Sequence, residues 1–238
     1  MQSVICGDGP MGHAIADELV TAGHAVRVLG RPAGADHPAS AFEGAAVVHE
    51  FSIGTAVAAN VTAALASGLR RFVIGTTGWS EDRDRVEDLL VSQGAAAVAA
   101  PTFSPGAAIL LNAAAQLGAE LGRVGGYDPF IVEWHRAAKR DRPSGTALAL
   151  AQRLAESGFG MREPEVASVR AGSSPGMHLV GFDALGETLE LRLTARDRRS
   201  YATGARLAGD WLLAARRSPG LHHFSAVIEA LTTERTPA

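Results

Sequence analysis

Short apolar runs and segments of helical periodicity alternate along the first part of the chain. Residues 1–6 form an apolar run that stops at a glycine and predicts a buried strand, and residues 11–22 place apolar side chains on one helical face. The alternation continues with strands predicted at residues 25–29, 45–51, 71–75 and 95–100 and helices at residues 56–67 and 81–93. Strands that alternate with helices predict an open parallel sheet with helices on both faces.

The pattern changes after Pro105. Two helices and four strands are predicted between residues 106 and 194, and the last three strands have no helix between them. The helices are expected at residues 106–121 and 146–156, and the strands at residues 129–134, 166–170, 177–183 and 188–194. Consecutive strands favour antiparallel or mixed pairing, so this part of the chain predicts an α+β fold with a mixed sheet.

These patterns predict an α/β protein of two domains. The chain of 238 residues is long enough for two modest domains to bury a core each. The first domain would comprise residues 1–105, rejoined by residues 206–238, and the second would comprise residues 106–205. A final helix predicted at residues 201–216 would carry the chain back to the first domain.

Composition and charge exclude several classes of function. The net charge of −3 provides no basic field, so neither nucleic acid nor a membrane is expected as a partner. The single cysteine, Cys6, allows no intrachain disulfide and has no neighbouring ligands for a metal–thiolate site, so no metal is expected. The sequence lacks a signal peptide and an apolar run of transmembrane length, which predicts a soluble, cytoplasmic protein.

A complete G-x-G-x-x-G motif lies between the first predicted strand and the first predicted helix, at residues 7–12. Gly7 would permit the tight turn out of the strand, Gly9 the approach of a pyrophosphate, and Gly12 close packing of the helix on the sheet. The helix N-terminus would offer unpaired N–H groups to the phosphates. A purely structural glycine turn is the alternative, but the position favours a Rossmann-type dinucleotide site.

The end of the second predicted strand bears on the choice of dinucleotide. It reads Leu-Gly-Arg-Pro and lacks the acidic residue that usually holds the ribose 2′-hydroxyl of NAD. Arg31 could pair with the 2′-phosphate of NADP, so the sequence favours NADPH as cofactor, with NADH possible. The alternative is an Arg31 that only faces solvent.

Two further loops follow predicted parallel strands, at the sheet edge where ligands bind in such folds. They are residues 75–79, with the sequence GTTGW, and residues 101–105, with the sequence PTFSP. Their small hydroxyl side chains and exposed backbone suit contacts to ribose and carboxamide groups. Simple turn chemistry would also produce such loops.

Residues 133–146 join a predicted strand to a predicted helix and carry a candidate anion site. Ser144 is a good N-cap, so the helix start presents the N–H groups of Gly145 and Thr146. Four basic side chains lie nearby in the sequence, namely Arg136, Lys139, Arg140 and Arg142. Basic side chains beside a helix N-terminus bind anions, so a substrate with carboxylate or phosphate groups is expected.

His135 and Lys139 are the candidate proton donors of this segment. A histidine titrates near neutrality, and a lysine ammonium releases its proton more readily among other cations. His135 could instead be a strand-end histidine bonded to a neighbouring backbone group, and the basic run could be a solvated loop. Together, beside a serine-capped helix start, these residues favour a functional site.

Three blocks of the sequence resemble the dihydrodipicolinate reductase family, now usually called 4-hydroxy-tetrahydrodipicolinate reductases. They are the glycine loop at residues 7–12, the GTTGW block at residues 75–79, and the E-x-H-x-x-x-K-x-D-x-P-S-G-T-A run at residues 133–147. Weaker matches in the same order lie at residues 169–172, 176–178 and 201–205. The resemblance runs nearly from end to end and implies the reduction of 4-hydroxy-tetrahydrodipicolinate to tetrahydrodipicolinate by NAD(P)H, in lysine and diaminopimelate biosynthesis.

The resemblance also implies roles for individual residues. His135 and Lys139 would be the catalytic acid pair, and the carboxylates of a small dicarboxylate substrate would be held by Arg136, Ser144, Gly145 and Thr146. The cofactor would contact Gly7, Asp8, Gly9, Pro10, Met11, Gly12, Arg31, Gly75, Thr76, Thr77, Ala100, Pro101, Thr102 and Phe103. The family is tetrameric through its second domain, so a homotetramer is expected.

Several positions near these sites depart from the family pattern. Arg136 stands where a second histidine is usual, Thr102 replaces an asparagine, and Pro10 replaces an arginine that contacts phosphate. Glu50 stands where aspartate is usual, and Arg142 where alanine is usual. These differences leave open a related NAD(P)H-dependent reductase of another imino or keto acid.

A non-catalytic dinucleotide sensor is the third hypothesis. The pairing of His135 with Lys139 argues against it, because a sensor has no need of proton donors.

Overall fold

The computed structural model describes residues 1–30, 36–158 and 164–233, and the chain divides into two compact units. Unit 1 comprises Met1–Pro105 and Arg198–Ala238, and unit 2 comprises Gly106–Asp197. In chain order the elements are β1 (Gln2–Cys6), α1 (Pro10–Thr21), β2 (Ala25–Leu29), β3 (Val47–Glu50), α2 (Val57–Ala66), β4 (Arg71–Ile74), α3 (Arg83–Ser92), β5 (Ala96–Ala99), α4 (Pro105–Val124), β6 (Asp128–His135), α5 (Gly145–Glu156), β7 (Glu165–Arg170), β8 (Met177–Ala184), β9 (Glu187–Thr194), α6 (Arg199–Ala214), β10 (Gly220–His222) and α7 (Phe224–Thr233).

Unit 1 contains a six-stranded parallel sheet in the order β10-β5-β4-β3-β1-β2. Its strands are short and apolar, and α2 and α3 pack their buried side chains against one face. Helices α1 and α6 pack against each other, and α6 also lies against β3, β4 and β5. The predicted parallel sheet is confirmed, because strands buried on both faces carry the near-continuous apolar runs seen in the sequence.

Two elements of unit 1, β10 and α7, were not predicted from the sequence. Strand β10 has three residues, begins at Gly220 and pairs in parallel with β5 at the sheet edge. Three residues are too few to show a periodicity, and the helix that follows them was therefore missed as well. Helix α6 lies wholly in unit 1, whereas the sequence placed the return to the first domain at residue 206.

Unit 2 contains a four-stranded sheet in the order β7-β6-β8-β9. Strand β6 is parallel to β7 and antiparallel to β8, and β8 and β9 form an antiparallel hairpin, so the predicted mixed sheet is confirmed. Helices α4 and α5 cover one face with a core that includes Leu110, Leu150, Ile131, Val180 and Phe182. Among the described helices of the chain, none is long and apolar enough to cross a membrane.

Candidate cofactor cleft and reaction site

A cleft of about 590 Å³ lies in unit 1 beside the glycine loop. The residues that line it follow the carboxyl ends of β1, β2 and β3, where ligands bind in parallel α/β sheets. They are Gly7, Asp8, Gly9, Leu29, Gly30, Asp36, His37, Phe51, Ser52, Ile53, Thr55, Ala56 and Asn60. The sequence analysis identified only the first three, although the strand-end rule would have pointed to Ser52 and Ile53 after β3.

The three glycines of the loop have the steric surroundings that a dinucleotide site requires. Gly7 has a φ of +116°, and a Cβ there would lie 2.4 Å from the carbonyl oxygen of Phe51. A Cβ on Gly12 would lie 1.9 Å from the carbonyl oxygen of Gly7, so only glycine allows α1 to pack this closely. A Cβ on Gly9 would meet no atom within 4 Å, and Gly9 lines the cleft. The loop therefore leaves room for a pyrophosphate at the start of α1, where Pro10 occupies the first helical position.

The loop after β4 is tied to β3 by hydrogen bonds. The backbone N–H groups of Gly75 and Thr76 both donate to the carbonyl oxygen of Glu50, over 2.9 and 3.2 Å. Thr76 is buried and Thr77 is exposed, and a Cβ on Gly75 would collide with the ring of Phe51 at 2.1 Å. Of the predicted cofactor residues of this loop, Gly75 thus lies against Phe51, which itself lines the cleft.

Two of the four predicted cofactor residues after β5, Ala100 and Phe103, are buried in unit 1. Ala100 is buried, and Phe103 is 2% exposed with its ring packed against Phe51 and Phe224 at centroid distances of 5.8 and 5.0 Å. Pro101 is exposed and Thr102 half-buried. None of these four residues lines the described cleft, so their contacts to the cofactor stay predictions. Arg31 lies outside the described residues, and its contact to the 2′-phosphate also stays a prediction.

Glu50 is buried and joins several parts of this region through hydrogen bonds. From the sequence it was noted only as a departure from the family pattern. Its carboxylate accepts hydrogen bonds from the backbone N–H of Ser52 at 3.0 Å, from Asn60 at 2.8 Å and from Thr76 at 3.2 Å, and also from the Ser52 hydroxyl. Burial raises the pKa of Glu50, while the bonds from Ser52 and Asn60 act in the opposite direction. Because Ser52 and Asn60 line the cleft, Glu50 fixes its wall.

The candidate reaction site lies in unit 2, where β6 leads through a short loop into α5. His135 is the last residue of β6 and is 7% exposed. The loop turns back at once, because the N–H of Lys139 donates to the carbonyl oxygen of Arg136 at 3.1 Å. The ammonium group of Lys139 pairs with Asp141 at 2.8 Å, and its side chain is 27% exposed.

Lys139 is the only lysine in the 238 residues, and every other basic side chain that keeps a permanent charge is an arginine. An arginine does not release its proton at physiological pH, whereas a lysine does so when its surroundings favour it. A chain that uses arginine for all its other fixed cations thus places its one lysine four residues after His135. The sequence alone shows that Lys139 is the single lysine. This fact indicates a special role for Lys139 more directly than the local run of basic residues does.

Some groups of the predicted anion site are accessible to a ligand, and others already form hydrogen bonds within the protein. Gly145 and Arg136 are exposed and Thr146 is half-buried. Ser144 is the N-cap of α5, and its buried Oγ accepts a hydrogen bond from the N–H of Ala147 at 3.3 Å. Free N–H groups therefore remain at the start of α5, whereas the Ser144 oxygen is already engaged.

Beneath this loop lies a group of residues that we call the Glu133 network, formed by Glu133, His135, Ser144, Ser168, Arg170 and His178. Oε1 of Glu133 accepts hydrogen bonds from the N–H of Ser144 at 3.0 Å, the hydroxyl of Ser168 at 2.6 Å and the guanidinium of Arg170 at 2.7 Å. Burial acts to raise the pKa of Glu133, but the hydrogen bonds outweigh it and lower the pKa to about 2. Glu133 is therefore ionised at neutral pH, although its side chain is fully buried.

The second oxygen of Glu133 faces two histidines. Oε2 lies 3.1 Å from Nδ1 of His135 and 3.8 Å from Nε2 of His178, but accepts no well-angled hydrogen bond from the described residues. Nε2 of His178 also lies 3.1 Å from Oγ of Ser144. The sequence analysis gave Glu133 and His178 no role, because a contact between β6 and β8 leaves no local pattern.

Burial lowers the pKa of both histidines of the Glu133 network. For His135 the negative charge of Glu133 opposes this effect, while Lys139 and Arg170 add to it. For His178 the pKa falls to about 4, through burial first and then the proximity of His135. Both rings are therefore mostly neutral at pH 7 when no ligand is bound.

A cleft beside the glycine loop of a parallel sheet, together with two candidate proton donors near a helix N-terminus, is typical of a nicotinamide-dependent oxidoreductase. Comparison with known proteins gives the family. The family model for the C-terminus of dihydrodipicolinate reductase matches residues 106–228. A 4-hydroxy-tetrahydrodipicolinate reductase from Magnetococcus marinus is 36% identical over 205 residues, covering 79% of this chain and 74% of that protein. The chain belongs to the dihydrodipicolinate reductase family, as the resemblance predicted.

A second relative and a solved structure agree with this result. A 4-hydroxy-tetrahydrodipicolinate reductase from Methanococcoides burtonii is 32% identical over 196 residues, covering 76% of this chain and 72% of that protein. The dipicolinate-bound dihydrodipicolinate reductase from Paenisporosarcina sp. TG-14 has a TM-score of 0.75 at 21% identity, covering 94% of this chain and 97% of that chain. At this identity the structural likeness concerns the fold alone.

Proposed function

We propose that this chain reduces 4-hydroxy-tetrahydrodipicolinate to tetrahydrodipicolinate, in lysine and diaminopimelate biosynthesis. Membership of the family supports the proposal. The observation that carries it is the composition of the loop between β6 and α5, where a buried histidine, the only lysine and an open helix start lie within a few residues. These features suit a reductase of a dicarboxylate, which needs a proton donor and an anion site.

The cofactor is a nicotinamide dinucleotide, which when bound supplies the hydride. The free space at Gly9 and the close packing at Gly12 support a pyrophosphate beside the start of α1. We propose NADPH as the preferred cofactor on the basis of Arg31, with NADH as a second substrate. We also propose that residues 75–77 after β4 and residues 100–103 after β5 contact the cofactor.

Substrate carboxylates are proposed to bind at the N-terminus of α5. The N–H groups of Gly145 and Thr146 lie in the first turn of α5, where N–H groups can donate to a ligand, and Arg136 is exposed in the same loop with a guanidinium that can bind a carboxylate through two donors. Ser144 contributes by capping the helix, since its oxygen is engaged with Ala147 and His178.

Protons are proposed to come from His135 and Lys139. The 4-hydroxyl group of the substrate leaves as water, which produces a conjugated imine. Hydride addition to this imine leaves electron density that one proton must quench, and a positioned acid contributes about 10²–10⁴-fold. A bound dianion beside His135 favours the protonated ring and so offsets the effect of burial. Lys139 is exposed enough to exchange its contact with Asp141 for one with the substrate.

The oligomeric state and location expected from the sequence stay proposals. The sheet face that α4 and α5 leave uncovered carries the exposed apolar side chains of Trp134 and Val169, which supports association of copies of the chain through unit 2. The homotetramer and the cytoplasmic location are both expectations for the family.

The deciding experiment is steady-state NADPH oxidation with freshly prepared 4-hydroxy-tetrahydrodipicolinate. Turnover is expected in the wild type, and Lys139→Arg should lower kcat by about 10²–10⁴-fold while the KM for NADPH barely changes. This variant keeps the positive charge but cannot release a proton. A wild-type protein that oxidises NADPH only with another imino or keto acid would identify a related reductase, and one that binds NADPH without turnover would identify a sensor.

The anion site is tested with dipicolinate, a pyridine dicarboxylate that should compete with the substrate. Arg136→Ala should weaken its inhibition, because two charge-assisted hydrogen bonds are lost. Arg123→Ala is the matched control, since Arg123 is exposed at the end of α4 and lies outside the loop. Equal inhibition of both variants would place the carboxylates elsewhere.

A further inference from the structure

A single buried carboxylate touches both functional parts of the reaction site. One oxygen of Glu133 holds the N–H of Ser144 at the start of α5, and the other faces the ring of His135. We propose that Glu133 and His178 are positioning residues, which hold the ring of His135 and the N-cap of α5 in one rigid arrangement. The inference rests on the proposed function, because positioning has a consequence only if His135 and α5 act on a substrate.

Glu133 determines which nitrogen of His135 is available to a ligand. Nδ1 lies 3.1 Å from Oε2, so the carboxylate favours a proton on Nδ1. Nε2, on the opposite side of the ring, lies beside Gly176, where a Cβ would come within 3.0 Å of it. The absence of a side chain at Gly176 keeps room at Nε2, which is therefore the nitrogen that can face a ligand: it accepts a hydrogen bond in the neutral ring and donates one once the ring is protonated.

The open hydrogen-bonding position of Oε2 adds a second effect. A buried carboxylate oxygen without a hydrogen bond costs free energy, and a proton added to His135 gives it a charged partner. The same carboxylate stabilises the positive charge of the protonated ring. Glu133 thus prepares His135 to hold the proton that the reduction consumes.

His178 completes the arrangement from β8. Oγ of Ser144 already accepts the N–H of Ala147, so its hydroxyl hydrogen is free to be donated to Nε2 of His178 at 3.1 Å. A ring that is neutral at pH 7 can accept this bond, and burial keeps His178 neutral. His178 therefore orients the hydroxyl that caps the helix of the anion site.

The ligand atoms of Glu133, His135 and His178 lie within 4.8 Å of one another, a spacing that a metal ion could bridge. The surrounding charges favour hydrogen bonding instead. Arg170 already neutralises the carboxylate from 2.7 Å, and Lys139 adds a second positive charge near His135. A divalent cation would add charge to a group that is already compensated.

The first test measures the pKa of His135 by NMR titration of the imidazole signals, assigned with His135→Gln. Because the charge of Glu133 raises this pKa, Glu133→Gln should lower it. The other charged or titratable groups that act on the ring stay in place, namely Arg170 on β7, His178 on β8, and Lys139 and Asp141 in the loop. An unchanged pKa in the folded variant would overturn the inference, as would a stoichiometric metal ion in the purified protein.

The second test uses kinetics and a matched pair at position 178. His178→Gln keeps a polar atom near the place of Nε2, whereas His178→Phe removes it at similar size. His178→Phe should lower kcat and weaken dipicolinate binding about 10–100-fold, by analogy with other residues that orient a functional side chain. His178→Gln should retain most of both, and neither should change the KM for NADPH. Equal losses in the two variants would overturn the role of His178, and this pair decides the question if Glu133→Gln does not fold.

The two readouts separate this inference from the proposed function. The pKa of His135 and the binding of dipicolinate are measured without turnover, whereas the proposed function depends on turnover by the wild type. A wild type that fails to reduce the substrate while Glu133→Gln lowers the His135 pKa contradicts the proposed function alone. An active wild type whose His135 pKa does not depend on Glu133 contradicts the positioning role alone.

Discussion

His135 and Lys139, the proposed proton donors, lie in two different environments. His135 is 7% exposed, and burial lowers its pKa against the opposing charge of Glu133. Lys139 is more accessible and pairs with Asp141 on the rim of the loop. The ring of His135 in the free protein is therefore mostly neutral at pH 7, and the proposed binding of a dicarboxylate substrate would favour its charged form.

This difference predicts two distinct pH profiles. If the reaction needs protonated His135, kcat/KM should fall as the pH rises through the pKa of the free protein, which lies below the ordinary value of 6.5. The fall in kcat should come at a higher pH, because the dicarboxylate in the complex raises the pKa of the ring. Initial rates across the pH range, at saturating NADPH, measure both profiles.

The control for this prediction is His135→Gln, which should lose the His135 limb from both profiles. His222→Gln should leave them unchanged, since His222 lies on β10 in unit 1. Coinciding limbs for kcat and kcat/KM in the wild type would contradict the effect of the bound dianion.

At the scale of elements, two glycines of the loop between β1 and α1 have different surroundings. Gly12 lies where α1 meets the strand, and a Cβ there would come within 1.9 Å of a backbone oxygen. Gly9 lines the cleft, and a Cβ there would meet nothing within 4 Å. The two positions therefore separate packing from cofactor binding.

Gly12→Ala should destabilise the protein by about 1–3 kcal/mol or more, because the backbone cannot move away without separating α1 from the sheet. Gly9→Ala should change the free energy of unfolding by less than about 1 kcal/mol. It should nevertheless raise the KM for NADPH, since the methyl group enters the space proposed for the pyrophosphate. Denaturant unfolding and cofactor kinetics on both variants measure the pair, and an unchanged KM in Gly9→Ala would contradict the proposed phosphate position.

The packing of β3 against α6 gives a prediction about acid stability. His49 is buried on β3, and a Cβ at Gly209 of α6 would lie 3.2 Å from its ring. Burial, followed by the charge of His24, lowers the pKa of His49 from 6.5 to about 3. The unfolded chain therefore binds the extra proton between these values, so stability falls as the pH drops below 6.5.

Replacing His49 should flatten this dependence. The group contributes at most about 1.4 kcal/mol per pH unit between pH 6.5 and 3. His49→Gln should show a smaller loss of stability between pH 7 and pH 5 than the wild type, measured by urea unfolding at each pH. His223→Gln is a control at an exposed position. Equal slopes in His49→Gln and the wild type would contradict the buried neutral state of His49.

The elements that the sequence predicted are those whose pattern is local. The strands of unit 1 and the capped helix α5 follow from apolar runs and from one serine before a periodic segment. The roles of Glu133 and His178 could not be predicted this way, because their partners lie on β6, β7 and β8 and meet only in the folded sheet. For the same reason the hub at Glu50, with partners on α2 and after β4, left no pattern in the chain.

At the scale of the whole molecule, the sheet of unit 2 has two unlike faces. One face is buried under α4 and α5 and carries the core residues Ile131 and Val180. The opposite face carries Trp134 and Val169, which are direct partners on β6 and β7 and are 41% and 43% exposed. Exposed large apolar side chains grouped on one sheet face are characteristic of an interface between proteins, and the family expectation is a second copy of this chain.

We predict that copies of the chain associate through the sheet face that carries Trp134 and Val169. Light scattering should give a mass of four times 24.6 kDa for the wild type. Val169→Glu should lower the mass, because it places a charge in the centre of the proposed contact, where burial without a partner is costly. Val124→Glu is the matched control, since Val124 is 73% exposed and is the last residue of α4 rather than a strand residue. A wild-type mass of 24.6 kDa, or equal masses for the wild type and Val169→Glu, would show that this face does not join copies of the chain.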